Sequence, residues 1–184
     1  MMLHSKLVQK GFSILRDKNS LSREALREKV TLSKLSHFLG FGFGSGLAPF
    51  APGTFGSLVA IPIILLLTFH PFWSYLIVTL VATVAGIKIC QQAADDLGVH
   101  DHPAIVWDEI AGMLITFLLV PITPLNLLLG FVLFRFFDIA KPFPIRMIDK
   151  KVDGGLGIML DDVIAGIFAA IALYFASPIL GSLI

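Results

Sequence analysis

Two pairs of adjacent acids, Asp108-Glu109 and Asp161-Asp162, stand out in a chain of 184 residues with only 13 Asp and Glu. Each pair opens an apolar run. Asp138 closes another, with Arg135 three residues before it and Lys141 three after. Carboxylates in that number are hard oxygen ligands suited to Mg2+, which keeps several waters and bridges to phosphate oxygens. On a helix, Arg135, Asp138 and Lys141 share a face. A guanidinium presents a fork to phosphate oxygens, and an ammonium a point charge. The plainer alternatives are structural. Acids at helix starts complement the helix dipole, and cations at the end of an apolar helix snorkel toward water with Asp138 as counter-ion.

Residues 51–57, APGTFGS, lead into a further apolar run. Backbone N–H groups and hydroxyls at a helix start make an anion site, with Thr54 and Ser57 as the donors; a capped turn is the alternative. His100-Asp101-His102 has ligand types that suit zinc, but neither a third close ligand nor an HExxH helix accompanies it. His100 or His102 can instead carry a proton near neutral pH. Other chemistries lack their motifs. Cys90 has no Arg six residues on, as a Cys-x5-Arg loop needs, and being the one cysteine it forms neither a disulfide framework nor a CxxC pair. No Asp-x-Asp or G-x-S-x-G occurs, and Gly42-x-Gly44-x-Gly46 is neither a dinucleotide fingerprint nor a P-loop.

The elements that must position these residues are apolar. Mean hydropathy is +0.86 and 15% of residues are charged, against about 25% in a soluble domain. No Asp, Glu, Lys or Arg occurs in residues 35–87, 110–134 or 163–184. The fold expected is all-α: a polytopic membrane bundle of four to five short transmembrane segments. The segments fall at residues 55–69, 72–90, 105–120, 125–139 and 161–175. Fifteen helical residues cover about 22 Å, less than the hydrocarbon core of about 30 Å, so extension at the ends or local thinning is implied. Residues 39–58 are too rich in Gly and Pro for a straight helix. They read as a buried or re-entrant loop that feeds a helix at Thr54 or Phe55.

Residues 110–134 form either one kinked span or a hairpin broken at Pro121 and Pro124. The hairpin is preferred, because five crossings keep every charge on the cytoplasmic side. A single kinked span would send Arg135, Lys141, Arg146, Lys150 and Lys151 outside, against the positive-inside tendency. Residues 1–34 hold eight Lys and Arg against three Asp and Glu. Residues 1–38 therefore read as a basic cytoplasmic tail, either drawn to anionic headgroups or simply solvated. Leu21, Leu26 and Val30 suggest a weak surface helix within it. Residues 39–184 form the membrane-embedded domain. The first residues lack the apolar core of a signal peptide, so no cleavage is expected.

Four blocks, GFGSGLAPFAPGTFGSL, VHDHPAIVWDEIAGM, FRFFDIAKPFPIR and GGLGIMLDDVIAG, resemble the signature blocks of the bacterial phosphatidylglycerophosphatase A family. They keep the family's order over about residues 40–166. The resemblance implies a Mg2+-dependent, multi-pass enzyme of the bacterial inner membrane with its active site facing the cytoplasm. It would hydrolyse the phosphomonoester of phosphatidylglycerophosphate to phosphatidylglycerol and phosphate. Its partners would be the phospholipid substrate and the membrane, with no nucleic acid; the oligomeric state is left open.

The charges then suggest roles. Asp108, Glu109, Asp161 and Asp162 hold one or two Mg2+, while Arg135 and Lys141 hold the non-bridging phosphate oxygens. Asp138 or Asp101 orients or deprotonates the attacking water, and Thr54 and Ser57 complete the phosphate pocket. The rival is a small ion-coupled transporter or channel that uses the same acids as an ion pathway. Against it, the charges gather on one face, with none expected at mid-membrane. A non-enzymatic scaffold leaves the clustered acids unexplained.

Overall fold

Apolar runs cut by Gly and Pro fold here as helices. The computed structural model describes residues 23–99, 101–149 and 151–181, and every regular element among them is helical. In order these are α1 (Arg23–Lys29), α2 (Leu35–Gly40), a 3-10 stretch (Gly42–Leu47), α3 (Pro52–Leu67) and α4 (Phe72–Leu97). They are followed by α5 (Trp107–Thr116), α6 (Pro124–Ala140), α7 (Ile145–Asp149) and α8 (Gly154–Gly181).

The ten-residue helix α5 sits at the centre. Residues 110–116 are all buried, as expected of a helix that is apolar on every side. Its neighbours take alternating directions. Phe134 of α6 packs on Gly112, Phe117 packs on Gly130, and Arg135 lies 3.8 Å from Glu109. The end of α6 is thus beside the start of α5, and the expected hairpin is present. Residues 117–123 form its turn, where Thr123 accepts the Asn126 N–H at 3.2 Å and Asn126 donates to the Pro121 carbonyl at 2.8 Å.

Helix α8 runs parallel to α5, with Asp162 beside Asp108 and Gly166 beside Gly112. Helix α4 runs against α8: Cys90 Sγ lies 3.7 Å from Met159 Sδ, and the Gly155 N–H donates to Gln91 at 2.6 Å. Helix α3 runs with α5, from Gly53 at Glu109 to Leu67, which shares a cleft with Phe117 and Leu118. The starts of α3, α5 and α8 therefore meet the ends of α4 and α6 at one end of the bundle. The opposite end, built from His70-Pro71 and residues 117–123, has no Asp, Glu, Lys or Arg.

Two helices are longer than expected from the sequence. Helix α4 runs to Leu97 instead of stopping at Cys90, about 39 Å in all. Beyond Cys90 the polar Gln91, Asp95 and Asp96 share turns with buried Ala93, Ala94 and Leu97, so the helix becomes amphipathic and does not end. Gly98 ends it in the left-handed region (φ 70), donating to the carbonyls of Ala94 and Asp95. Helix α8 begins at Gly154, seven residues before the expected start at Asp161. Its added turns bury Ile158 and Met159 against α4. Asp161-Asp162 consequently lie in the third turn, beyond reach of the dipole at the helix start.

Among the described residues, the helices long and apolar enough to cross a membrane are those at Phe72–Leu97 and Gly154–Ser177. Helices α3, α5 and α6 have 16, 10 and 17 residues. Of the expected loop at residues 39–58, residues 41–51 are irregular or 3-10, while α2 includes Gly40 and α3 starts two residues ahead of the expected Thr54. Phe43 and Ala51 take left-handed backbone (φ 58 and 44), and the following helix starts at Pro52, a favourable first position.

Part of the basic tail is docked. Leu26 is buried, and Leu21 lies outside the described residues. Lys34 and His37 both bind Asp96, His37 through Nε2 at 2.8 Å, while His37 Nδ1 accepts the Thr31 N–H at 3.0 Å. The Lys29 ammonium donates to the Leu97 carbonyl. The segment ahead of the bundle is thereby tied to the end of α4.

The parallel contact of α5 and α8 depends on bare backbone. A Cβ on Gly166 would lie 2.5 Å from the Gly112 carbonyl oxygen. Gly166→Val is expected to lower unfolding stability in detergent by about 1–3 kcal/mol, the usual effect of overpacking. An unchanged denaturation midpoint would show that the helices do not meet there.

Candidate active site

The first turn of α5 supplies Asp108 and Glu109, and the third turn of α8 supplies Asp162. One carboxylate oxygen from each lies within 4.8 Å of the others. The last turns of α6 bring in Arg135 and Asp138, paired at 2.6 Å, and Asp138 also adjoins Asp162. Just past α6, Lys141 donates to Asp161 at 2.6 Å and to Asp149 at 2.7 Å. Burial opposes the Lys141 charge, but the hydrogen bonds it donates to Asp149 and Asp161 outweigh it and hold the ammonium above the usual lysine range.

Acid outnumbers base here. Asp108, Glu109, Asp138, Asp161 and Asp162 face Arg135 and Lys141. Asp108 Oδ1, Glu109 Oε2, Asp161 Oδ1 and Arg135 Nε are buried without a hydrogen-bond partner, and among the described residues Ser36 and Ser45 supply the other such side-chain atoms. Each unmet buried group costs about 1–3 kcal/mol. Three converging carboxylates, two of them with an unpartnered buried oxygen, are a hard donor set that fits a divalent cation. The unused Arg135 N–H, with Lys141 close by, fits an anion such as phosphate.

The expected residues separate into layers. Asp108, Glu109 and Asp162 converge, whereas Asp161 turns to Lys141, because neighbours on a helix point about 100° apart. Ser57 is buried, donating to the Gly53 carbonyl at 2.9 Å and accepting from Arg135 Nη1 at 3.4 Å. Thr54 is half-buried in the first turn of α3. Asp101 is exposed at the rim, where its charge reaches Asp108 and Asp161. His102 is buried, and its Nδ1 accepts the Ala104 N–H at 3.1 Å. Burial pulls its pKa below the usual histidine value, with Asp101 opposing. His100 lies outside the described residues.

Two contributors were not expected from sequence. Asp149 reaches Lys141 only because α7 folds back toward α8. Gly53 brings the α3 backbone so near that a Cβ would overlap the Glu109 carboxylate.

All of these residues fall within residues 38–177, which match the sequence model of the family described as Phosphatidylglycerophosphatase A. The chain belongs to that family. A phosphatidylglycerophosphatase A of Escherichia coli K12 is 46% identical over 154 residues, covering 83% of this chain and 90% of the relative. One from Haemophilus influenzae is 45% identical over 149 residues, covering 80% and 91%. A Bacteroides thetaiotaomicron protein, provisionally named a phosphatidylinositol-3-phosphatase, is 38% identical over 157 residues, covering 81% and 98%. No solved structure matches the chain.

In this family member the contact at Gly53 can be tested by its sign. Alanine normally stabilises a helix by about 1 kcal/mol relative to glycine. Gly53→Ala is instead expected to lower the melting temperature in detergent, and Glu109→Ala to recover part of the loss in the double variant. A higher melting temperature in the single variant would refute the close approach.

Proposed function

We propose that the protein hydrolyses the phosphomonoester of phosphatidylglycerophosphate to phosphatidylglycerol and phosphate, with Mg2+ held by Asp108, Glu109 and Asp162. One observation carries this reading: three converging carboxylates flanked by Arg135 and Lys141, in a chain of the phosphatidylglycerophosphatase A family. The name of the Bacteroides relative points to another phosphomonoester on a lipid headgroup. Shared membership in this family leaves the transporter reading without support, and the charges gathered at one end of the bundle trace no path through it.

A magnesium ion at this site supplies positive charge opposite the phosphate and makes a water molecule more acidic. The protein groups do the rest. Arg135, fixed by Asp138 and Ser57, presents its free N–H to a non-bridging oxygen, where charge accumulates in the transition state. Lys141 neutralises a second oxygen. Asp138 lies inside the site and Asp101 at the rim, so Asp138 takes the proton of the attacking water. The water oxygen bonds to phosphorus, the bond to the glycerol oxygen breaks, and the alcohol leaves with a proton. Asp161 keeps Lys141 in place, and Thr54 borders the phosphate pocket at the start of α3.

The setting is the bacterial inner membrane. Helices α3, α4 and α8 and the α5–α6 hairpin are seated in the bilayer, with the charged end and its site toward the cytoplasm. The basic residues 1–34 and the charge-free opposite end favour this orientation. A lipid then keeps its acyl chains in the bilayer while its headgroup enters the site.

Phosphate release from phosphatidylglycerophosphate in detergent micelles tests the proposal. Release is expected to stop with EDTA and return with Mg2+. Release indifferent to EDTA would keep the phosphatase and remove its metal, and no release by folded protein would overturn the function. Asp162→Asn is expected to lower the rate by about 100-fold and to weaken Mn2+ binding, read by electron paramagnetic resonance, with expression maintained. Full activity would exclude Asp162 from the metal site.

A further inference from the structure

Phosphatidylglycerophosphate carries two phosphates. The terminal monoester is cleaved, and a phosphodiester joins the headgroup glycerol to the diacylglycerol and stays in the product. The carboxylate site with Arg135 and Lys141 accounts for the first. A second anionic group, one glycerol nearer the acyl chains, needs a cation on the lipid side of the site.

The segment between α6 and α8 provides one. A cleft of about 530 Å3 is lined by Ala140, Lys141, Pro142, Phe143, Arg146 and Met147. Its Lys141 wall belongs to the reaction site, where the ammonium bonds Asp161 at 2.6 Å. Its other wall is apolar and open to the surroundings: Phe143 is 78% exposed and Met147 41%. Arg146 lines the same cleft. It is exposed and forms no ion pair among the described residues, whereas Arg135 and Lys141 are both engaged by carboxylates. The cleft thus brings together an engaged cation of the reaction site, a free one and lipid-compatible side chains. Those are the groups that a glycerophospholipid would need beside it once its terminal phosphate has entered the site.

We propose that Arg146 binds the phosphodiester of the substrate and makes the enzyme selective for lipids that carry it. Its guanidinium fork suits two phosphodiester oxygens, and Phe143 and Met147 pack against the first methylenes of the chains. The proposal rests on the phosphatase reading for the placement of the terminal phosphate.

The test uses the full chain in detergent micelles, with Arg146→Gln and Arg146→Lys. The probes are phosphatidylglycerol, which has the phosphodiester alone, and inorganic phosphate, which fits the reaction site alone. Arg146→Gln is expected to raise KM for phosphatidylglycerophosphate and the inhibition constant of phosphatidylglycerol at least tenfold. It should leave kcat and inhibition by inorganic phosphate within twofold, and Arg146→Lys should recover part of the loss. Loss of a charge-assisted hydrogen bond is of this order. Unchanged KM and unchanged phosphatidylglycerol inhibition would overturn the proposal. So would an equal weakening of inorganic phosphate, which would place Arg146 at the bond being cleaved. Calorimetric binding of phosphatidylglycerol, with diacylglycerol as control, reads the cleft without turnover. An unmutated protein that binds phosphatidylglycerol through Arg146 yet releases no phosphate would refute the phosphatase reading and leave the cleft assignment standing.

Discussion

The structure depends on holding like charges together in an apolar setting. Five carboxylates from three helices gather at one end of the bundle, three of them converging, where Arg135 and Lys141 oppose them. Their mutual repulsion would push α5, α6 and α8 apart, and desolvation adds to the penalty. Packing holds them: Gly112 against Gly166 between α5 and α8, and Phe134 wedged onto Gly112 from α6. These close contacts lie one helical turn from Asp108 and Asp162.

This balance makes the second layer important. Ser57 accepts from Arg135, and Asp149 shares Lys141 with Asp161. A hydroxyl in the first position and a carboxylate in the second fix the directions of the two cations with no need for either to touch substrate. The site is thus a layered arrangement in which a residue's contribution depends on its distance from the convergence point.

Charge distribution was the most readable feature of the sequence. Long stretches without Asp, Glu, Lys or Arg predicted the α5–α6 hairpin and the gathering of charge at one end, because ionisable groups tolerate few other placements in an apolar bundle. Hydropathy was a poorer guide where helices turn amphipathic. It ended α4 at Cys90, since Gln91, Asp95 and Asp96 dilute the average while Leu97 still faces the core, and the glycines at 154, 155 and 157 read as a loop although Ile158 and Met159 of α8 pack there. Sequence also could not distinguish Asp161 from Asp162, because only the packing of α8 against α5 sets which of two neighbours faces the cluster. Ser57 has the chemistry of a phosphate donor, but burial directs its hydroxyl to the Gly53 carbonyl. Asp149 gave no signal, because its partner is set by how α7 turns back.

The end of the bundle opposite the site also bears on how such a protein is made. His70-Pro71 and residues 117–123 carry no carboxylate, ammonium or guanidinium. Carrying an ionised side chain to the centre of a bilayer costs about 2.5–3.5 kcal/mol even on the lenient scale of assisted insertion. In the proposed orientation, a nascent chain led by these two loops avoids that barrier where they cross. In that orientation the reactive groups would stay on the side on which they are synthesised. Biogenesis and chemistry would then be separated in space: the inert end would enter the lipid first, and the charged end would assemble in water.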